Sequence, residues 1–147
     1  MLIILRGLPG STKTTQANYL FEYYKDKGDS AVVCSNDNYP GYYENGKYVW
    51  TPDKAKLANQ YCKETFIQAL NNDVDVIILD NTNLSPKKYS WYKDLAEKAH
   101  REISFVTFRP PLENPVALQE YCEFCAGRNT HGVSLQMIKQ MAESWVD

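Results

Sequence analysis

The segment Gly7-Leu8-Pro9-Gly10-Ser11-Thr12-Lys13-Thr14 follows the apolar run Leu2-Ile3-Ile4-Leu5 and opens a helical pattern. A glycine-led loop of this length, ending in Lys-Thr between a strand and a helix, has the setting of a phosphate-cradling loop, G-x-x-x-x-G-K-[ST]. The chemistry needs those parts. Backbone N–H groups must converge on the phosphates, aided by the positive end of the following helix. Lys13 is then placed for the β- and γ-phosphates of a nucleoside triphosphate, and the Thr14 hydroxyl for Mg²⁺. The candidate ATP-binding residues are therefore Gly7, Leu8, Pro9, Gly10, Ser11, Thr12, Lys13, Thr14 and Thr15. Thr12 breaks the pattern, because it stands where the second glycine is expected. A Cβ at that point crowds a phosphate or deforms the loop. The loop reads either as a nucleotide site or as a relic that binds nothing.

The rest of the chain alternates short apolar runs with longer helical patterns. Strands are expected at Leu2 to Leu5, Ala31 to Cys34, Val74 to Leu79 and Ile103 to Phe108. Helices are expected at Thr14 to Lys27, Asp53 to Asn71 after Pro52, Pro86 to His100, Asn114 to Ala126, and from the cap Ser134 to about Val146. The order βαβαβαβαα implies a three-layer α/β fold with about four parallel strands and helices on both faces; the phosphate-loop strand is expected at the centre. Residues 36–51 read as a long polar and aromatic loop, longer than a mere connection needs to be. With 147 residues and a 44% hydrophobic fraction, the chain fits one domain, 1–147.

Polar clusters sit where three of these strands end. Asp80 closes an apolar strand and is followed by Asn81-Thr82-Asn83. A carboxylate there can help hold Mg²⁺ beside the phosphate loop, since ligands of open α/β sheets bind at that edge, or it is an ordinary turn carboxylate at a strand end. Asp37, in Ser35-Asn36-Asp37-Asn38, leaves the second strand and is placed to accept a proton from an acceptor hydroxyl or to orient it. The alternative is a turn carboxylate, but polar clusters at three strand ends together favour the catalytic reading. Arg128 lies in Gly127-Arg128-Asn129-Thr130-His131-Gly132-Val133 between two helices, a position from which it can neutralise a transferring phosphoryl group. His131 reads as a general base or as a packed, hydrogen-bonded histidine.

Taken in order, these segments resemble the P-loop polynucleotide-kinase-like family, which includes phage-type polynucleotide 5′-hydroxyl kinases and related AAA-like ATP-binding domains. The phosphate loop alone is unspecific. Asp80-Asn81-Thr82-Asn83-Leu84 followed by Arg128-Asn129-Thr130-His131-Gly132-Val133 is far more so, and the matching pieces span nearly the whole chain. The resemblance implies transfer of the ATP γ-phosphoryl group to a 5′-hydroxyl of a nucleic acid or nucleotide. It implies Asp37 as general base, Lys13 and Thr14 on phosphate and Mg²⁺, and Arg128 as the lid arginine. Asp37, Asn81 and Asn83 would belong to the substrate cleft, with a single-stranded 5′ end as partner. Two positions depart from the pattern: Thr12, and Pro40 where phage-type kinases carry an arginine for substrate phosphate. A small-molecule hydroxyl kinase and a noncatalytic nucleotide- or nucleic-acid-binding module are the competing readings.

Formal net charge is −2, which weakly disfavours a protein built on nonspecific nucleic-acid affinity. No apolar run reaches the length of a membrane span, and the first residues do not resemble a signal peptide, so a cytoplasmic or nuclear setting is expected. Cys34, Cys62, Cys122 and Cys125 are then expected to be reduced. Cys122 and Cys125 lack a second pair for zinc. Tyr39, Tyr42, Tyr43, Tyr48 and Trp50 either stack nucleobases or pack the long loop onto the body.

Overall fold

The computed structural model describes residues 1–147. Its main sheet has four parallel strands: β1 (Leu2–Arg6), β2 (Ala31–Cys34), β5 (Val76–Asp80) and β6 (Ile103–Thr107), in the spatial order β2-β5-β1-β6. β1 is central and aligns Leu5 with Asp80 of β5, which brings the phosphate loop and the Asp80 cluster out at the same edge. Helices α1 (Lys13–Asp26), α2 (Pro52–Asn71), α3 (Pro86–Lys98), α4 (Pro115–Arg128) and α5 (Leu135–Glu143) complete the three layers. None is long and apolar enough to cross a membrane.

Strand alternation divides the core. Leu2 and Ile4 of β1 pack with Ile77 and Leu79 against Cys62 and Phe66 of α2 and Tyr89 and Tyr92 of α3. Ile3 and Leu5 face the other way, with Ile78 and Ala17 of α1. A third cluster joins Leu8 of the phosphate loop to Cys122 and Cys125 of α4 and Ile138 and Ala142 of α5. The last two helices thus buttress the loop rather than the sheet. Each fully buried Leu, Ile or Phe contributes about 1.5–3 kcal/mol from apolar burial.

The long loop expected at 36–51 is more ordered than its composition suggested. Two 3₁₀ turns, Asn36–Asn38 and Pro40–Tyr42, lead into a small antiparallel hairpin, β3 (Tyr43–Glu44) and β4 (Lys47–Tyr48). Its turn residues Asn45 and Gly46 both have positive φ, 51° and 78°, as a type I′ hairpin turn requires. Arg128 also lies elsewhere than expected: it is the last residue of α4, because the helix continues through Gly127.

Candidate active site

The phosphate loop leaves β1 at Gly7, whose N–H donates to the Thr82 carbonyl at 3.0 Å. Gly10 has φ 81°, and a Cβ there would collide with the Cys125 carbonyl at the end of α4. That glycine is required both by its conformation and by the close approach of two backbones. Thr12, the N-cap of α1, has φ 73° and ψ 8° and makes no capping hydrogen bond with its side chain. The loop therefore keeps the left-handed turn that glycine normally supplies, and a β-branched residue bears the strain.

Beneath the loop, Thr14 Oγ1 donates to Asp80 Oδ2 at 3.0 Å, and Lys13 Nζ lies 3.9 Å from Asp80 Oδ1. Asp80 is 5% exposed, and its Oδ1 has no hydrogen-bond partner. Burial pushes the Asp80 carboxyl above the usual carboxylate range, although Lys13 and Thr14 pull it down. A buried carboxylate oxygen without a hydrogen bond, faced by the Lys13 ammonium only at 3.9 Å, suits a site that gains a cation.

A cavity of about 660 Å³ opens above this cluster. Its walls include Pro9, Gly10, Thr12, Lys13, Thr14 and Thr15 of the loop, Asp37, Asn81, and Arg128 through Val133. The expected site residues are thus largely gathered around one space. Asp37 is fixed from two directions: the Tyr48 hydroxyl donates to its Oδ1 at 3.1 Å, and His131 Nε2 lies 3.4 Å from its Oδ2. The Tyr48 and His131 rings are 4.1 Å apart. Burial and the adjacent Asp37 carboxylate push the Tyr48 phenol well up. The hairpin and the segment after α4 meet over Asp37 by this contact.

Five expectations need correction or refinement. Asn83 does not reach the cavity: it is 3% exposed, with φ 45°, and its amide Nδ2 donates to the Leu5 carbonyl at 2.7 Å. Its positive φ turns the side chain into the fold, where it ties β5 to β1. Leu8 offers no side chain to a nucleotide, since it is fully buried in the cluster under the loop. Ser11 Oγ is likewise buried, with no partner. Arg128 is exposed on the cavity rim, but its guanidinium lies 5.3 Å from the Phe124 ring in this conformation. Asn81 lines the cavity while its Oδ1 accepts the Asn36 N–H at 2.9 Å, bracing the turn that carries Asp37.

Three structurally important residues escaped the sequence reading. Tyr48 was indistinguishable from its aromatic neighbours. Asn129 locks the turn after α4: its Nδ2 donates to the Ala126 and Val133 carbonyls at 2.9 Å, and its Oδ1 accepts the Val133 N–H at 2.8 Å. Arg6 lies between the Trp145 and Tyr89 rings and donates to the carbonyls of Asn83 and Leu84, holding the segment after Asp80 in place. The fixed spacing of Asn129, His131 and Gly132 was the one available signal for Asn129.

A family model described as an AAA domain matches residues 2–117, which include the phosphate loop, Asp37 and Asp80. The chain belongs to this AAA-domain family. Human NEDD4-binding protein 2 is 32% identical over 149 residues, covering 99% of this chain and 8% of that protein. The chain thus spans a small part of that relative's length. Uncharacterized protein PM0531 of Pasteurella multocida (strain Pm70) is 27% identical over 146 residues, covering 95% of this chain and 73% of that one. Among solved structures, a chain of the Pnkp1/Rnl/Hen1 RNA repair complex aligns with a TM-score of 0.64 at 23% identity, covering 97% of this chain and 43% of its own. Chaetomium thermophilum Kti12 in complex with ADP-AlF3 aligns with a TM-score of 0.62 at 16% identity, covering 100% and 81%. Mycobacterium tuberculosis APS kinase CysC in complex with AMPPNP and APS gives 0.53 at 20% identity, covering 88% and 76%. The AAA-domain chain has the three-layer P-loop kinase-like fold, and the polynucleotide-kinase-like resemblance read from its motifs holds.

Proposed function

We propose that this AAA-domain chain is an ATP-dependent phosphotransferase that moves the γ-phosphoryl group to the 5′-hydroxyl of a nucleic acid or nucleotide. The observation that carries the reading is the shared cavity: Asp37 opens into the same space of about 660 Å³ as Lys13 and Thr14. That volume lies within the range of small-molecule sites. No group of three His, Cys, Asp or Glu side chains is gathered for a metal. A phosphate-loop Mg²⁺ site needs none, because one hydroxyl, one carboxylate and the phosphate oxygens suffice. Thr14 and Asp80 fit that role, with the unpaired Asp80 Oδ1 available directly or through water. When bound, Mg²⁺ would neutralise charge on the phosphate oxygens.

The chain's own residues would do the rest. Backbone N–H groups of the loop and Lys13 hold the triphosphate. The acceptor oxygen forms a bond to the γ-phosphorus as the bond from that phosphorus to the β-γ bridging oxygen breaks, and ADP leaves. Asp37 takes the hydroxyl proton, with Tyr48 and His131 setting the direction of its carboxylate. Because the transition state is loose, much of this benefit is orientation. Arg128, on swinging off Phe124, neutralises charge on the moving group.

Radiolabelled ATP with an acceptor panel tests the reading. Label should pass to 5′-hydroxyl oligonucleotides or nucleotides. Asp37→Asn should lower turnover by about 10²–10⁴-fold with little change in ATP affinity. Transfer confined to free nucleosides or sugars would replace the acceptor, and no binding of Mg-ATP at millimolar concentration would remove the enzyme.

A further inference from the structure

Resting on the phosphotransferase reading above, we propose that Trp50 is the stacking platform for the nucleobase beside the acceptor hydroxyl, which makes the acceptor class a base-bearing 5′-hydroxyl rather than a sugar or other aliphatic alcohol.

The five aromatic residues of the hairpin region have separate fates. The Tyr39 ring packs on Tyr42 at 5.7 Å and Tyr61 at 5.8 Å. Tyr42 is buried, against Tyr48 at 5.0 Å. Tyr48 is committed to Asp37 and His131. Tyr43 lies against Tyr48, donates its hydroxyl to the Asp37 carbonyl at 3.4 Å, and lies outside the cavity wall. Trp50 lines the cavity, is 55% exposed and has no aromatic partner. An indole left half open in a cavity wall forgoes the burial that a residue of its size normally gains.

Its placement assigns it to the acceptor side. Tyr48, which holds Asp37, precedes Trp50 by two residues, a reach of about 7 Å at most, and both line the same cavity. Trp50 therefore belongs to the stretch of chain that carries the Tyr48–Asp37 contact. It is also held firmly. Val49 N–H donates to the Tyr42 carbonyl at 2.6 Å on one side, and the Thr51 hydroxyl accepts the Lys54 N–H at 3.2 Å on the other, capping α2. A half-exposed ring with no aromatic partner, in the same cavity as a candidate general base, suits a π-faced ligand, and base–aromatic stacking tolerates any base.

The experiment pairs binding with turnover in the full chain. Tryptophan fluorescence is titrated, without ATP, with a 5′-hydroxyl oligodeoxynucleotide and with the same strand abasic at its 5′-terminal position. Kinetics use both strands with Mg-ATP. Expected results are quenching by the intact strand, weaker binding of the abasic strand, and a roughly tenfold or larger rise in acceptor KM for Trp50→Ala, within the range that stacking spans. ATP KM should be unchanged, and Trp50→Phe should restore most of the acceptor KM. Quenching that depends on Trp50 without any phosphoryl transfer supports the platform and removes the kinase reading. Normal transfer with unchanged acceptor KM in Trp50→Ala overturns the platform and leaves the kinase reading standing. A rise confined to ATP KM also overturns it, because Trp50 would then serve adenine. Absence of oligonucleotide binding by the wild type overturns it as well.

Discussion

Replacing Thr12 with glycine should stabilise the protein. Thr12 occupies the left-handed region at φ 73°, ψ 8°. That conformation costs an ordinary residue about 1–2 kcal/mol, and β-branching places Thr toward the upper end. The Thr12 side chain makes no capping hydrogen bond, so glycine forfeits only a few tenths of a kcal/mol as an N-cap. Glycine also frees the unfolded chain, which costs about 0.4–1 kcal/mol. The balance favours Thr12→Gly by about 0.5–1 kcal/mol, a rise in Tm of about 1–4 °C for a chain of this size. Urea and thermal unfolding without nucleotide should rank Gly above Asn, which tolerates the left-handed region, and Asn above Thr. Thr12→Ala, which keeps a Cβ, should stay near the wild type. Strain that is equal in the free and the occupied loop cancels from the binding equilibrium. Mg-ATP affinity should accordingly change by less than about tenfold, or about 1.4 kcal/mol. A Thr12→Gly protein no more stable than the wild type would refute the strain argument. A larger gain in affinity would show that the Thr12 Cβ crowds a phosphate.

Three further substitutions probe the site. Gly10→Ala should destabilise the chain by about 2 kcal/mol or more in urea unfolding and abolish Mg-ATP binding, because it combines a positive φ with a collision against the Cys125 carbonyl; a neutral effect would mean that α4 yields easily. Tyr48→Phe keeps the ring against His131 and removes the bond to Asp37 Oδ1. It should lower kcat about tenfold with ATP KM unchanged, in line with a hydrogen bond to a charged group, and have little further effect in the Asp37→Asn background. Asp80→Asn addresses the buried carboxyl. Its pKa is raised in the fold, so the folded chain holds a proton more tightly than the unfolded chain. Stability therefore falls as pH rises from the ordinary carboxylate value through the raised one, and the penalty is complete above it. Asn should flatten that part of the pH-stability curve, while the gain of about 2.7 kcal/mol expected from Mg-ATP at a hundred times its Kd should vanish; an unchanged pH dependence would contradict the burial argument.

The strands and helices were legible because each carries its own local period, whereas the spatial order β2-β5-β1-β6 is not fixed by chain order. The hairpin was missed although it carried a signal: Asn45-Gly46 between Glu44 and Lys47 is a strong two-residue turn sequence, hidden because its strands are only two residues long. Candidate site residues were found where topology alone places them, at the strand ends after β1, β2 and β5. Topology does not say which way a side chain points. Asn81 and Asn83 sit two residues apart in one polar run, yet only Asn81 lines the cavity, because the positive φ at Asn83 reverses its side chain toward Leu5. Nor does sequence order show that Tyr48 and His131 converge on Asp37, since that contact joins a hairpin to a turn between the last two helices. The polar run after Asp80 therefore has two tasks that composition cannot separate. One asparagine braces the turn carrying Asp37, and the other stitches β5 to the strand that launches the phosphate loop. The relative placement of Asp37 and Lys13 depends on both.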